Sequence, residues 1–237
     1  ESVSNDTYLK KNNITSAIHN DNSTLHSYID YNSFNENSIF DLSFEIFEDL
    51  NKEKSDRFEY IFPNFNYEKY LYNENNLNGD LTFNTRGFQK NYNTNTDETI
   101  LINDLKYSSF YNISPSINGL LTNYKLLLRN FNSSIENSSR FQNGEDHQLL
   151  STVLLENKLP LKKENKNSTS ILTPKISARY SPNSTKNNSN SGKRLTYENI
   201  FLLDRIDNTS VEGGESLTLG AEYSLTGKKN DKFISLS

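Results

Sequence analysis

A chain of 237 residues is long enough for one all-β domain or two small ones. Its net charge is -5 with the two signs interspersed, which excludes the concentrated basic face that nucleic acid requires, and with no cysteine it can hold neither a disulfide framework nor a thiolate metal site. Hydrophobic residues make up only 33%, yet 14 Tyr and 14 Phe bring the aromatic share to 12%, too rich for a solvated disordered chain.

Asparagine fills about one position in six, a compositional bias and not a motif. The chain contains no Met, and no apolar leader stands at its front, so it reads as an internal fragment forming one partial domain over residues 1–237. No stretch approaches the roughly 18 consecutive apolar residues of a membrane helix, so any membrane contact must be made by strands.

Taken in chain order, apolar and polar residues alternate with the period of strands. Weak alternation at Thr24 to Phe34 is followed by a clean strand at Ser38 to Leu50, with Phe40, Leu42, Phe44 and Ile46 on one face and Asp41, Ser43 and Glu45 on the other. Weaker runs follow at Arg57 to Tyr70, Gly79 to Lys90 and Glu98 to Tyr111. Gly119 to Phe131 then sets Leu120, Tyr124, Leu126 and Leu128 against Asn123, Lys125 and Arg129, with Leu127 breaking the pattern. His147 to Leu159 precedes Ser170 to Tyr180, where Leu172, Pro174, Ile176, Ala178 and Tyr180 oppose Thr173, Lys175, Ser177 and Arg179. Leu195 to Leu203 is a weak candidate, Ser216 to Leu225 a strong one, and Asp231 to Leu236 closes the series. The separators Asn91 to Asp97, Asn132 to Asp146, Lys162 to Thr169 and Asn183 to Lys193 are polar and loop-like.

About ten or eleven such strands, most longer than the five or six residues of a soluble sandwich strand, suit strands that cross a bilayer at a tilt. The expected fold is all-β, an antiparallel meander of about ten long strands forming an incomplete arc of a large outer-membrane β-barrel. A soluble Asn-rich β-sandwich adhesin remains an alternative, as does another outer-membrane barrel such as a porin or TonB-dependent receptor. The sandwich requires a second sheet packed on the apolar faces.

Catalytic signals are absent. His19, His26 and His147 are scattered without partner motifs, and Asp41 and Glu45 read as a polar stripe on one strand and not as an acid pair. Gly213 and Gly214 permit a sharp turn with positive φ but make no phosphate loop. No enzyme activity, metal or cofactor is expected. Lys125, Arg129, Lys175 and Arg179 all fall on the polar faces of strong strands and are candidate lumen-facing basic residues.

Three stretches resemble the LptD family of lipopolysaccharide-assembly barrels. They are DRFEYIFPNFNYEK at Asp56 to Lys69 with GDLTFNTRG at Gly79 to Gly87, LTPKISARYSPN at Leu172 to Asn183, and NIFLLDRIDNTSVEGGESLTLGAEY at Asn199 to Tyr223. The third is the most specific, through Asn199, Phe201, Asp204, Arg205, Glu212, Gly213 and Gly214, which read as a loop-shaping set; Arg205 can pair with Glu212 across the loop. The resemblance covers roughly Ser55 to Ser237, the central part of the barrel. It implies a location in the bacterial outer membrane and lipopolysaccharide transport into its outer leaflet through a lateral opening between the first and last strands of the whole barrel. The implied partners are lipopolysaccharide, outer-membrane lipid, an LptE-like lipoprotein plug and a periplasmic Lpt bridge reached through an amino-terminal jellyroll that is missing from this sequence.

Overall fold

The computed structural model describes residues 3, 6–12, 23–74, 77–92, 95–113, 117–189, 194–206, 209–227 and 233–236. After a short helix α1 (Tyr8–Asn12), the chain runs through β1 (Thr24–Asn35), β2 (Ser38–Asp49), a 3-10 turn (Lys54–Asp56), β3 (Phe58–Glu74), β4 (Leu77–Tyr92), β5 (Thr96–Ser109) and β6 (Asn112–Ile113). It continues through β7 (Leu121–Glu136), β8 (Gly144–Lys158), β9 (Leu161–Glu164), β10 (Ser168–Ser181), β11 (Lys186–Asn187), β12 (Ser210–Val211), β13 (Gly214–Gly227) and β14 (Phe233–Leu236).

Twelve of these strands form one sheet in the order β1-β2-β3-β4-β5-β7-β8-β10-β13-β14, with β6 on β7 and β9 on β10; β11 and β12 pair separately. Every pairing is antiparallel, and among the described residues β1 does not pair with β14, so the sheet is an open arc. β7 and β8 extend to Glu136 and from Gly144, which shrinks the polar separator expected there to residues 137–143. Leu195 to Leu203 is not a strand. Turns and bends fill that segment, which has no sheet edge beside it and belongs to a long connection, residues 182–213, between β10 and β13.

A meander places successive connections alternately at two rims. The β2–β3, β4–β5, β7–β8 and β10–β13 connections share one, here termed the loop rim; the others lie at the opposite, turn rim. At the loop rim Leu9 of α1 packs with Leu25, Leu50 and Val3, and Arg57 donates to Asp6 and Glu48, each at 3.1 Å, which ties the start of the chain to the β2–β3 connection.

β3 pairs irregularly with β4 at two places, between Leu71 and Glu74 and, more centrally, near Phe62. Pairing shifts by a residue between Ile61 and Asn64 against both neighbours, a bulge at Phe62 and Pro63 where proline offers no N–H to the ladder. The bulge leans toward β4 at Gly87, where any Cβ would run into the Phe62 carbonyl.

The two faces of the sheet have inverted polarity relative to a water-soluble sandwich. Ile29, Leu149, Leu217 and Leu219 are 67–76% exposed on one face, together with Phe83, Leu105, Leu128, Val153, Leu155 and Ile176. Tyr31, Phe40, Phe65 and Phe83 meet edge to face across β1–β4 on that same side. A hydrogen-bonded chain of Thr85, Asn103, Asn130, Asn132 and His147 interrupts the apolar band toward the loop rim. No second sheet covers this face among the described residues. The other face carries buried Glu98, Asp104, Arg129, Glu156 and Arg179 from β5 to β10; Arg129 and Arg179 meet residues of the 182–213 connection, and Glu98 meets Ser138 and Arg140 of the β7–β8 connection. Toward β1 it presents the cross-strand row Asn32, Asp41, Asn66 and Asn84. Leu127, the exception to alternation, lies on the covered polar face and is 4% exposed. No helix among the described residues is long and apolar enough to cross a membrane.

Candidate functional site: the connection folded onto the polar face

The 182–213 connection leaves β10 at the loop rim, runs across the polar face and returns. Its outward limb is fixed at the rim by Asn183, whose side-chain oxygen accepts from the Ser151 N–H at 2.9 Å and whose amide donates to the Leu149 carbonyl at 3.3 Å. Further along, the Gln142 N–H donates to the Asn188 carbonyl at 3.0 Å. β11 and β12, one from each limb, join the connection to itself near its base.

Asn199 closes the inner turn. Its side-chain oxygen accepts from the Thr196 N–H at 2.7 Å while its amide donates to the Arg194 carbonyl at 3.1 Å, the local bonding that makes asparagine a turn residue. The turn aims Phe201 down onto β13 at Gly220, where a Cβ would stand 2.8 Å from the ring. The ammonium of Lys175, the cross-strand partner of Gly220, lies 4.2 Å from the ring centroid and pairs with Glu222.

Two charged anchors hold the returning limb. Asp204 receives a 2.6 Å bond from Arg129 of β7, whose guanidinium also holds Asp104 of β5 at 2.6 and 2.7 Å. Arg129 and Asp104 are 2% and 4% exposed, so their charges are stabilised chiefly by each other and by Asp204. The adjacent Arg205 forms a bidentate pair with Glu212, with Nε–Oε2 at 2.8 Å. Arg179 of β10 binds the backbone of the same limb, donating to the carbonyls of Leu203 at 3.1 Å and Glu212 at 3.0 Å.

The glycines that end the connection act differently. Gly214 takes φ +89°, which glycine adopts without strain. Gly213 is required by space, since a Cβ there would strike the Asn183 carbonyl.

Six of the seven family-motif residues therefore lie on this connection and the seventh, Gly214, opens β13 at its end, while the four basic candidates share the face beneath it. They divide into pairs. Arg129 and Arg179 are buried against the connection. Lys125 and Lys175 instead line a cleft of about 340 Å³ toward the turn rim, with Tyr111, Glu156, Lys158 and Tyr197. Lys125 makes no ion pair or hydrogen bond among the described residues. Lys158 pairs with Glu156 at 2.8 Å, and the Tyr111 hydroxyl donates to the same carboxylate at 2.5 Å; burial, then Glu156, pushes the Tyr111 phenol up from its ordinary value.

Asp104, Glu156, Lys158, Tyr111 and Gly220 were not apparent as site residues from the sequence. Asp104 and Glu156 sit on the polar phase of their strands, but only the cross-strand register reveals what they meet. His26 stands 3.0 Å from Glu45, and His147 contacts Asn132, while His19 lies outside the described residues.

An open antiparallel sheet with an exposed apolar face, and a polar face onto which a connection folds, is an arc of an outer-membrane-type β-barrel. The chain belongs to the LptD family: the family described as LPS transport system D matches residues 1–237. The match takes in the first fifty residues as well as the stretches that carry the motif resemblance. No curated protein matches the chain.

Proposed function

We propose that this chain forms part of the wall of a lipopolysaccharide translocon in the bacterial outer membrane and works without covalent chemistry. The observation that carries this reading is the inverted polarity of the sheet. Its exposed apolar face suits hydrocarbon, and its polar face, with a connection pinned across it, suits the sugar and phosphate portion of a glycolipid. Family membership supports lipopolysaccharide as the cargo.

Within this reading Asn199, Phe201, Asp204, Arg205, Glu212, Gly213 and Gly214 shape the connection, with Arg129 and Arg179 as its seats. Lys125 and Lys175, facing the cleft, are the basic groups placed to meet phosphate or carboxylate on the cargo. An LptE-like lipoprotein would occupy part of the polar face left open beside β1–β4, and the periplasmic Lpt bridge would deliver cargo through the jellyroll. The test is depletion of the full-length protein in its own cell, followed by labelling of lipopolysaccharide at the surface. Arrival of newly made lipopolysaccharide is expected to stop, and an unchanged surface refutes the assignment.

A further inference from the structure

The polar face contains a second concavity, away from the connection's turn and lined by unlike chemistry. Ile61 of β3, Phe88 of β4 and Ile100 of β5 are successive cross-strand neighbours and form its floor. Phe47 and Ile102 extend the floor at its two ends, and Arg140 and Phe141 of the β7–β8 connection wall it, enclosing about 390 Å³. An apolar floor on a face otherwise rich in amides and charge calls for an apolar occupant.

The shape limits that occupant. Inward rows on a strand are two residues apart, about 7 Å, and three neighbouring strands span about 10 Å. The row toward the loop rim contains Glu59, Lys90 and Glu98 beside Phe47, and the row on the other side contains Asn64 and Arg86 beside Ile102. The apolar floor is thus a diagonal track with one apolar residue on each of β2, β3 and β4 and two on β5, bordered by charge and amide, too narrow for a helix about 10 Å across but open to a single hydrocarbon chain.

Charge sets its polar end. Arg140 is already paired with Glu98 and stacked over Phe88 and Phe141 at 4.9 and 5.6 Å. Arg86 lines the same cavity, is exposed, and makes no ion pair or hydrogen bond among the described residues. A single free guanidinium fork matches one carboxylate. We propose that this cleft binds a medium-chain carboxylate, its hydrocarbon lying across Ile61, Phe88 and Ile100 and its carboxylate on Arg86.

The test uses the full-length protein in lipid nanodiscs and labelled decanoate in equilibrium dialysis against empty nanodiscs. Saturable binding above the empty discs is expected, one decanoate per chain. Arg86→Gln should weaken it about tenfold while leaving heat-modifiable migration of the folded protein unchanged. On the unaltered protein, decanol should compete about tenfold more weakly than decanoate, which tests the charge contact without relying on a variant. Binding that never exceeds partition into empty discs, equal competition by decanol, or an Arg86→Gln protein that is folded and binds undiminished would each overturn the proposal.

Discussion

Arg129 and Asp204 lie 75 positions apart in the chain and meet at 2.6 Å, one on the wall of the sheet and the other on the connection that crosses it. Asp104 holds the same guanidinium from the neighbouring strand, so wall and connection share one buried charge. Removing different members of this trio should have unequal effects. Asp204→Ala leaves Arg129 paired with Asp104 and is expected to cost about 1–3 kcal/mol, felt mainly as release of the connection. Arg129→Ala leaves Asp204 without its cation and buried Asp104 with only the more distant Lys106 at 3.5 Å, and about 3–5 kcal/mol is expected. Limited trypsin digestion should cut Asp204→Ala after Arg194 sooner than the parent, while thermal unfolding should separate the two variants in the stated order.

Gly87 faces the β3 bulge at the Phe62 carbonyl. Gly87→Ala must push β3 and β4 apart and is expected to lower stability by about 1–3 kcal/mol, the range for overpacking. Heat-modifiable gel migration as a function of temperature measures the change, and an unshifted midpoint would show that the bulge can move aside.

Phe201 and Gly220 are complementary. Gly220→Ala displaces the ring and Phe201→Ala removes it, and each is expected to destabilise by about 1–3 kcal/mol. Since the alanine at 220 would fill space that the ring has left, the double variant should cost less than the sum of the two single changes. Denaturant unfolding of the four proteins checks the sign of the coupling.

The apolar face makes a depth-dependent expectation. Leu219→Lys, near the middle of β13, should cost about 2–4 kcal/mol in folding into lipid vesicles, and a lysine at Glu215, beside the strand end, about 0–1 kcal/mol. Equal costs at both sites would contradict a lipid-facing band.

The chain start should respond to acid. The Arg57 guanidinium beside Asp6 holds its carboxyl below the ordinary range. A depressed folded pKa stabilises above the unfolded value, about pH 4, and the contribution is lost as pH falls through the lowered value. Protection factors at residues 8–12, exchange corrected for its intrinsic pH dependence, should therefore fall below about pH 4, and Asp6→Asn should remove that fall.

Much of this architecture is legible in the residues alone. Leu217 to Leu225 and Phe40 to Ile46 announce their faces because a strand with one side in hydrocarbon and the other in a polar interior must alternate. Leu127 broke that rule since part of the polar face is itself covered, a fact set by a connection that begins more than fifty residues later. Arg205 and Glu212 are seven positions apart and could be paired by inspection, whereas Arg129 and Asp204 could not. Leu195 to Leu203 looked like a weak strand because Leu195, Tyr197, Phe201 and Leu203 fall on one phase of the alternation. In the fold Asn199 turns that segment and Phe201 fills the space above a glycine instead of joining a ladder.

The open row Asn32, Asp41, Asn66 and Asn84 has a consequence for anything moving beside it. Amide and carboxylate groups at every strand offer a hydroxyl-rich solute hydrogen bonds much like those of the water it displaces, each breakable as the next one forms. Under the proposed transport role, many weak contacts and no single strong one would let such a row act as a lubricant, giving traffic low friction rather than a resting place.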